Sequence, residues 1–173
     1  MRLLLILVFA LAALAASSSG VKMSLSSTDF KEGDPIPKAF TCEGDNLSPA
    51  LEWGGCPAGV RSFALICDDP DAPMGTWIHW VMFNIPGEAR RLDKGVAKKA
   101  MLPDGSAQGV NSWPKTGYDG PCPPPGKPHR YFFKLYALDA VLSLKESAGK
   151  EELLAAMKGH IIGEASLMGT YRR

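Results

Sequence analysis

The sequence predicts a mostly β protein, a sandwich or barrel-like sheet with one or two peripheral helices. Three observations carry this expectation. Glycine and proline punctuate the chain heavily as far as about residue 128, which favours short strands joined by irregular loops. Three short apolar runs, residues 61–67, 77–85 and 129–137, have the length and the aromatic or β-branched content of strands. Only one later segment has its apolar residues at clear helical spacing.

In chain order, Met1-Arg2 supplies a positive start, and residues 3–16 run without a charge or polar side chain. Ala13-Leu14-Ala15 fits the small-x-small cleavage pattern, so residues 1–16 read as a signal peptide and the protein as secreted or periplasmic. The apolar stretch is short of the ~20 residues that cross a bilayer, so no stable membrane anchor is expected. The folded domain is then expected over residues 23–173. Residues 23–27 alternate weakly as a first strand, and Pro35 and Pro37 bar a regular helix from the loop and strand pieces between Phe30 and Gly44. Residues 51–53 form a short strand before the turn Gly54-Gly55-Cys56-Pro57-Ala58-Gly59, and the three apolar runs follow. Leu153, Leu154, Met157 and Ile161 fall at helical spacing after two acids, Glu151 and Glu152, with Gly159 and Gly163 weakening the end. Residues 142–146 read as a further short helical turn.

Charge excludes one class of function. With Arg2 the only charged residue before Lys22, the 19 Lys and Arg fall to 18 and balance the 18 Asp and Glu. A chain with no net field does not gather nucleic acid, so any anion must be held by a local pocket. Of the four cysteines, Cys67 sits in an apolar run and reads equally as a buried small residue or a disulfide partner. Cys42 and Cys122 each flank Gly/Pro-rich loops and are the preferred pair.

Three stretches could carry chemistry. Asp68-Asp69-Pro70-Asp71-Ala72-Pro73 ends the first long apolar run, and prolines on both sides of Asp71 fix the backbone. Acids this close need nearby donors or a raised pKa. In the second run, strict alternation places Trp77, His79, Val81 and Phe83 on one face and Ile78, Trp80, Met82 and Asn84 on the other. The third stretch, Gly117 to Pro128, is a stiff loop whose amides suit an anion, followed by His129-Arg130-Tyr131, with His129 and Tyr131 pointing the same way. Two imidazoles, a phenol and loop amides could together bind a phosphate or sulfate.

These stretches occur in the order found in the phosphatidylethanolamine-binding protein family, also called Raf kinase inhibitor-like. The chain resembles its bacterial YbhB/YbcL branch over nearly all of its length beyond the leader. The resemblance rests on Phe40-Thr41-Cys42-Glu43-Gly44-Asp45-Asn46-Leu47-Ser48-Pro49, Asp69-Pro70-Asp71-Ala72-Pro73, Trp77-Ile78-His79-Trp80 through Asn84-Ile85-Pro86, Gly120-Pro121-Cys122-Pro123-Pro124, His129-Arg130-Tyr131 and the terminal Gly163 to Tyr171. It implies a Greek-key β-sandwich with a small anion pocket, walled by Asp69 with Asp71 beside it, His79, Gly120-Pro121, His129 and Tyr131. Animal members carry a longer insert before the His79 strand, where this chain has only Met74-Gly75-Thr76, so their kinase-binding role is not carried over.

The resulting expectation is a non-enzymatic binding protein for a small phosphate-bearing or other anionic ligand, without a cofactor. The alternative is a secreted protease inhibitor or protein-interaction protein. A hydrolase with His79 or His129 as base and Asp69 as its orienter, or a metal site from His79, His129, Asp69 and Asp71, ranks below these.

Overall fold

The computed structural model describes residues 22–173, and the leader expected over residues 1–16 lies outside them. Two antiparallel sheets face each other. The smaller holds β1 (Ser24–Ser26), β2 (Leu51–Gly54) and β5 (Arg91–Leu92) in the order β1-β2-β5. The larger contains β3 (Ser62–Asp69), β4 (Trp77–Pro86), β6 (Ala107–Gln108), β7 (His129–Leu138) and β8 (Ile161–Tyr171) in the order β6-β4-β3-β7-β8. Within it β3, β4 and β6 lie side by side, and β7 returns by a long connection to the free edge of β3. That 7-3-4-6 order is a Greek key.

Burial explains why β3 leads this arrangement: all of its residues are buried. Phe63, Leu65 and Cys67 point between the sheets, where they join Trp80, Met82, Tyr131, Phe133 and Leu135. Ala64 and Ile66 point the other way and meet Val81, Phe83 and the helix residues Leu153 and Met157. A strand covered on both faces reads as a continuous apolar run, as residues 61–67 do.

The helix α1 (Lys150–Met157) starts after Gly149, whose N–H donates to the Glu152 carboxylate at 2.8 Å. It stops at Gly159, whose φ of 84° favours glycine. The expected helical continuation to Ile161 is therefore corrected: the chain reverses at Gly159, and Ile161 opens β8. Residues 142–145 form no helix, and Glu146 lies in a turn closed by the Ala148 N–H donating to the Lys145 carbonyl at 2.9 Å. Leu142 is pinned by Asn84, whose Oδ1 accepts the Leu142 N–H at 2.8 Å and whose Nδ2 donates to the Leu142 carbonyl at 3.0 Å. A single 3-10 turn, Lys38–Phe40, follows Pro37.

The faces of β4 also differ from strict alternation. Cys67 pairs with Trp80 but Asp68 pairs with Ile78, so His79 is an extra residue, a β-bulge. Beyond the bulge Ile78 packs with Val81 and Phe83 on the helix side, while Trp80 and Met82 face the other sheet. His79 and Trp77 consequently end up away from Val81 and Phe83.

A disulfide joins Cys42 to Cys122 across 80 residues, and Cys56 and Cys67 are free thiols. Closing so long a loop restricts the unfolded chain. Replacing both bonded cysteines by serine is expected to lower stability by about 2–4 kcal/mol, measured by denaturant unfolding, with the wild type losing a similar amount under strong reductant.

Candidate functional site

Asp69 at the end of β3, His129 and Tyr131 at the start of β7, and His79 at the bulge of β4 line one cavity of about 340 Å3. Their convergence follows from sheet geometry. Asp69 and His129 share the parity of the inter-sheet residues Cys67 and Phe133, and the bulge turns His79 to that same side. All four are buried, Tyr131 completely at 0% exposure. The remaining walls are largely apolar, chiefly Trp77, Trp113, Pro123 and Pro124, with Met74 standing 91% exposed at the mouth.

Each polar group is held differently. The His129 ring donates from Nδ1 to Asp69 Oδ2 at 2.8 Å, a buried carboxylate–imidazole pair. His79 Nδ1 lies 2.6 Å from the carbonyl of Asp119; since a carbonyl only accepts, the Nδ1 carries the proton. Burial is the main force on this ring and holds its pKa below the usual histidine range, against the opposing pull of the Asp119 carbonyl and the Asp69 charge. Each ring is thus left with Nε2 for a ligand. The Tyr131 hydroxyl is buried without a hydrogen-bond partner among the described residues, as is Trp77 Nε1. The Tyr131 pKa is raised, first by burial, then by the Asp69 charge and by the approach of that carboxylate to the hydroxyl, beyond normal hydrogen-bond distance. Edge-on aromatic contacts fix the rings: His79 meets Tyr131 and Trp113 at centroid distances of 5.1 Å, and Trp77 meets Trp113 at 5.3 Å.

Not every residue expected at the site reaches the cavity. Asp71 accepts from the backbone N–H of Arg130 at 2.9 Å and from its guanidinium at 2.9 and 2.7 Å. Those bonds bring the Asp71 pKa down to about 2. It therefore pins the Asp69–Pro73 turn to β7 instead of facing the cavity. Gly120 and Pro121 also stand behind the wall. The Gly120 N–H donates to Asn46 Oδ1 at 2.7 Å, and the Pro121 carbonyl accepts from Cys42 N at 3.1 Å. A Cβ on Gly120 would lie 2.1 Å from the Phe40 carbonyl oxygen, so glycine is required here for close approach rather than for a free amide.

Trp113, Met74 and Asp119 were not singled out from sequence. Trp113 stands alone in a loop with no periodicity around it, and Asp119 acts through its backbone carbonyl, which no side-chain pattern signals. The spacing between Asp69 and Thr76 does mark Met74 as a turn tip once both flanking strands are recognised.

Chemically, the cavity offers a carboxylate-backed imidazole, a second imidazole and an unpaired phenol over apolar walls. The cavity sulfur of Cys122 is tied up in the disulfide. No group of three or more His, Cys, Asp or Glu among the described residues could hold a metal ion. No helix among them is long and apolar enough to cross a membrane.

Comparison with known proteins agrees with this architecture. A UPF0098 protein of Methanothermobacter thermautotrophicus is 54% identical over 151 residues, covering 87% of this chain and 99% of its own. One from Aquifex aeolicus is 43% identical over 159 residues, covering 91% and 92%. Among solved structures, a phosphatidylethanolamine-binding protein homologue of Chlamydia trachomatis superposes with a TM-score of 0.81 at 42% identity. YbcL of E. coli, described as a member of the mammalian PEBP family, gives 0.82 at 32% identity; each structure covers 88% of this chain and 99% of its own. The family model described as phosphatidylethanolamine-binding protein matches residues 26–172, and the chain belongs to that family.

Proposed function

We propose that this chain is an exported binding protein that holds a small phosphate-bearing anion in the Asp69–His79–His129–Tyr131 cavity and releases it unchanged. Family membership supports a ligand-binding protein in general terms, and the family's name points to a phosphate-bearing headgroup. The observation that carries the reading is the Tyr131 hydroxyl, a buried donor with no acceptor at normal hydrogen-bond distance among the described residues, in a cavity already holding two imidazoles. An unsatisfied buried donor costs about 1–3 kcal/mol, and a ligand oxygen would remove that cost. The balanced chain charge fits a local receptor rather than an electrostatic collector. No serine, threonine or free thiol among the described residues lines the cavity, so the His129–Asp69 pair has no side-chain nucleophile to activate there. Export rests on the leader sequence of residues 1–16.

Calorimetric titration with inorganic phosphate and with phosphoethanolamine tests the site. His129→Ala should weaken binding by about tenfold or more, the loss of one charge-assisted hydrogen bond, and Tyr131→Phe by several-fold. Unchanged affinity in the His129→Ala protein would reject the assignment.

The pH dependence follows from His79. With its proton committed to Asp119 and its pKa depressed, His79 is uncharged at pH 7 and above, so Nε2 presents a lone pair. A phosphate oxygen can meet that nitrogen only with a proton between them, whether the ligand brings it or the ring takes it up. Where the free ligand is the dianion, complex formation therefore takes up a proton from solution, so affinity should fall as pH rises above the ligand's second pKa of about 6–7, by up to about tenfold per unit towards pH 8. A flat profile over that range would contradict the role given to His79.

A further inference from the structure

Behind the cavity wall lies a group of polar side chains that does not line this cavity. Its centre is Asp119. The Asp119 residue grips His79 twice through its backbone: its N–H donates to the His79 carbonyl at 3.0 Å, and its own carbonyl accepts from His79 Nδ1 at 2.6 Å. What holds the Asp119 peptide still is its side chain. Asp119 Oδ1 accepts from Asn46 Nδ2 at 2.9 Å and from Lys98 at 3.2 Å, and Oδ2 accepts from Asn111 Nδ2 at 3.1 Å.

The two asparagines each use both ends of their amide. Asn46 Oδ1 accepts the N–H of Gly120, the residue after Asp119, at 2.7 Å. Asn111 Nδ2 also donates to the Gly117 carbonyl at 3.1 Å, while its Oδ1 accepts from the N–H groups of Trp113 at 2.9 Å and Lys115 at 3.1 Å. Trp113 is the ring that meets His79 edge-on. One cluster thus fixes the imidazole from both its carbonyl partner and its aromatic neighbour. Neither lysine nor aspartate could replace the asparagines, because each position needs a donor and an acceptor on one planar group.

We infer that Asn46 and Asn111 are positioning residues that lock His79 as the Nδ1–H tautomer, keeping Nε2 as the acceptor offered to the ligand. The inference rests on the anion-site reading for its consequence in binding, but the tautomer is a property of the ligand-free protein. It also gives a role to Asn46 within the residue 40–49 stretch, which the cavity itself does not employ.

The test uses Asn46→Asp and Asn111→Asp. Each keeps the acceptor oxygen and the shape, removes the donor and sets a carboxylate against Asp119. Aspartate tolerates the left-handed backbone of Asn46, whose φ is 56°. The double variant Asn46→Asp/Asp119→Asn exchanges donor and acceptor across the same contact. Ring nitrogen NMR shifts of His79 are read in the ligand-free proteins at neutral pH, and phosphate affinity is measured by calorimetry.

Each single variant should move His79 from the Nδ1–H form toward a mixture with Nε2–H and weaken phosphate binding about tenfold, the loss of one well-aligned hydrogen bond. The exchanged double variant should recover most of both. Should Asn46→Asp fail to fold, Asn111→Asp and the double variant decide the matter. An unchanged His79 spectrum in the folded variants overturns the inference, as does weakened binding with the tautomer intact. If the tautomer shifts as expected while wild-type protein binds no phosphate, the positioning role stands and the anion reading falls.

Discussion

Asp68 and Asp69 close a strand that is buried on both faces, so each carboxylate must find its counter-charge on its own side of the sheet. Leaving a charge unpaired in such surroundings costs several kcal/mol. On the helix side Asp68 takes Lys134 at 2.8 Å and Lys150 at 3.2 Å, which ties β7 and the first turn of α1 to β3. On the opposite side Asp69 takes His129 at 2.8 Å. Two adjacent acids thereby fasten β7 and α1 to β3 and, as a by-product of strand parity, deliver one imidazole to a cavity. The pairing of β3 with β7 places Lys134 and His129 beside these acids, and α1 brings Lys150 onto the face opposite His129.

The cavity is accordingly rigid for reasons that lie outside it. Asp71 clamps the turn to Arg130, the disulfide and Gly120 bring the proline-rich loop against the residue 40–44 segment, and Asp119 holds the bulged histidine. Burial contributes a second effect by keeping His79 uncharged, so the two histidines differ in character although they share a wall. His129 is backed by a carboxylate, whereas His79 is backed by a neutral carbonyl. Each offers its remaining ring nitrogen, Nε2, to the cavity.

Much of this was readable in the residues. The apolar runs at 61–67 and 77–85 became β3 and β4 because largely buried strands read as nearly continuous hydrophobic stretches, whereas 129–137 became β7 with alternate residues buried and Arg130 exposed. The helix was legible from Leu153 and Met157, which are both fully buried. β5 and β6 were not, because two residues carry no period. β8 escaped for another reason: as the outermost strand of its sheet it leaves much of its surface exposed, and Gly163, Glu164, Ser166 and Thr170 dilute any alternation. At the site, Asp69, His79, His129 and Tyr131 were found by residue type. The loop glycine and Asp71 have supporting positions, since hydrogen bonding between backbone and distant side chains such as Asn46 leaves no local pattern to read.

The bulge at His79 divides β4 into two stretches with opposite side-chain parity, and that has an evolutionary consequence. The exposed tip Met74-Gly75-Thr76 can lengthen or shorten without moving a core side chain, because Asp71 anchors the turn before it and the pairing of Asp69 with Trp77 closes the excursion. The short link Met74-Gly75-Thr76 is therefore a place where lineages can diverge freely and reshape the mouth. A deletion within His79-Trp80 has no such freedom. Removing His79 would restore even alternation, leave Ile78 opposite Asp68 and Trp77 opposite Asp69, and erase the histidine from the cavity in one step. The tolerance for insertions and the intolerance for a single deletion sit only a few residues apart.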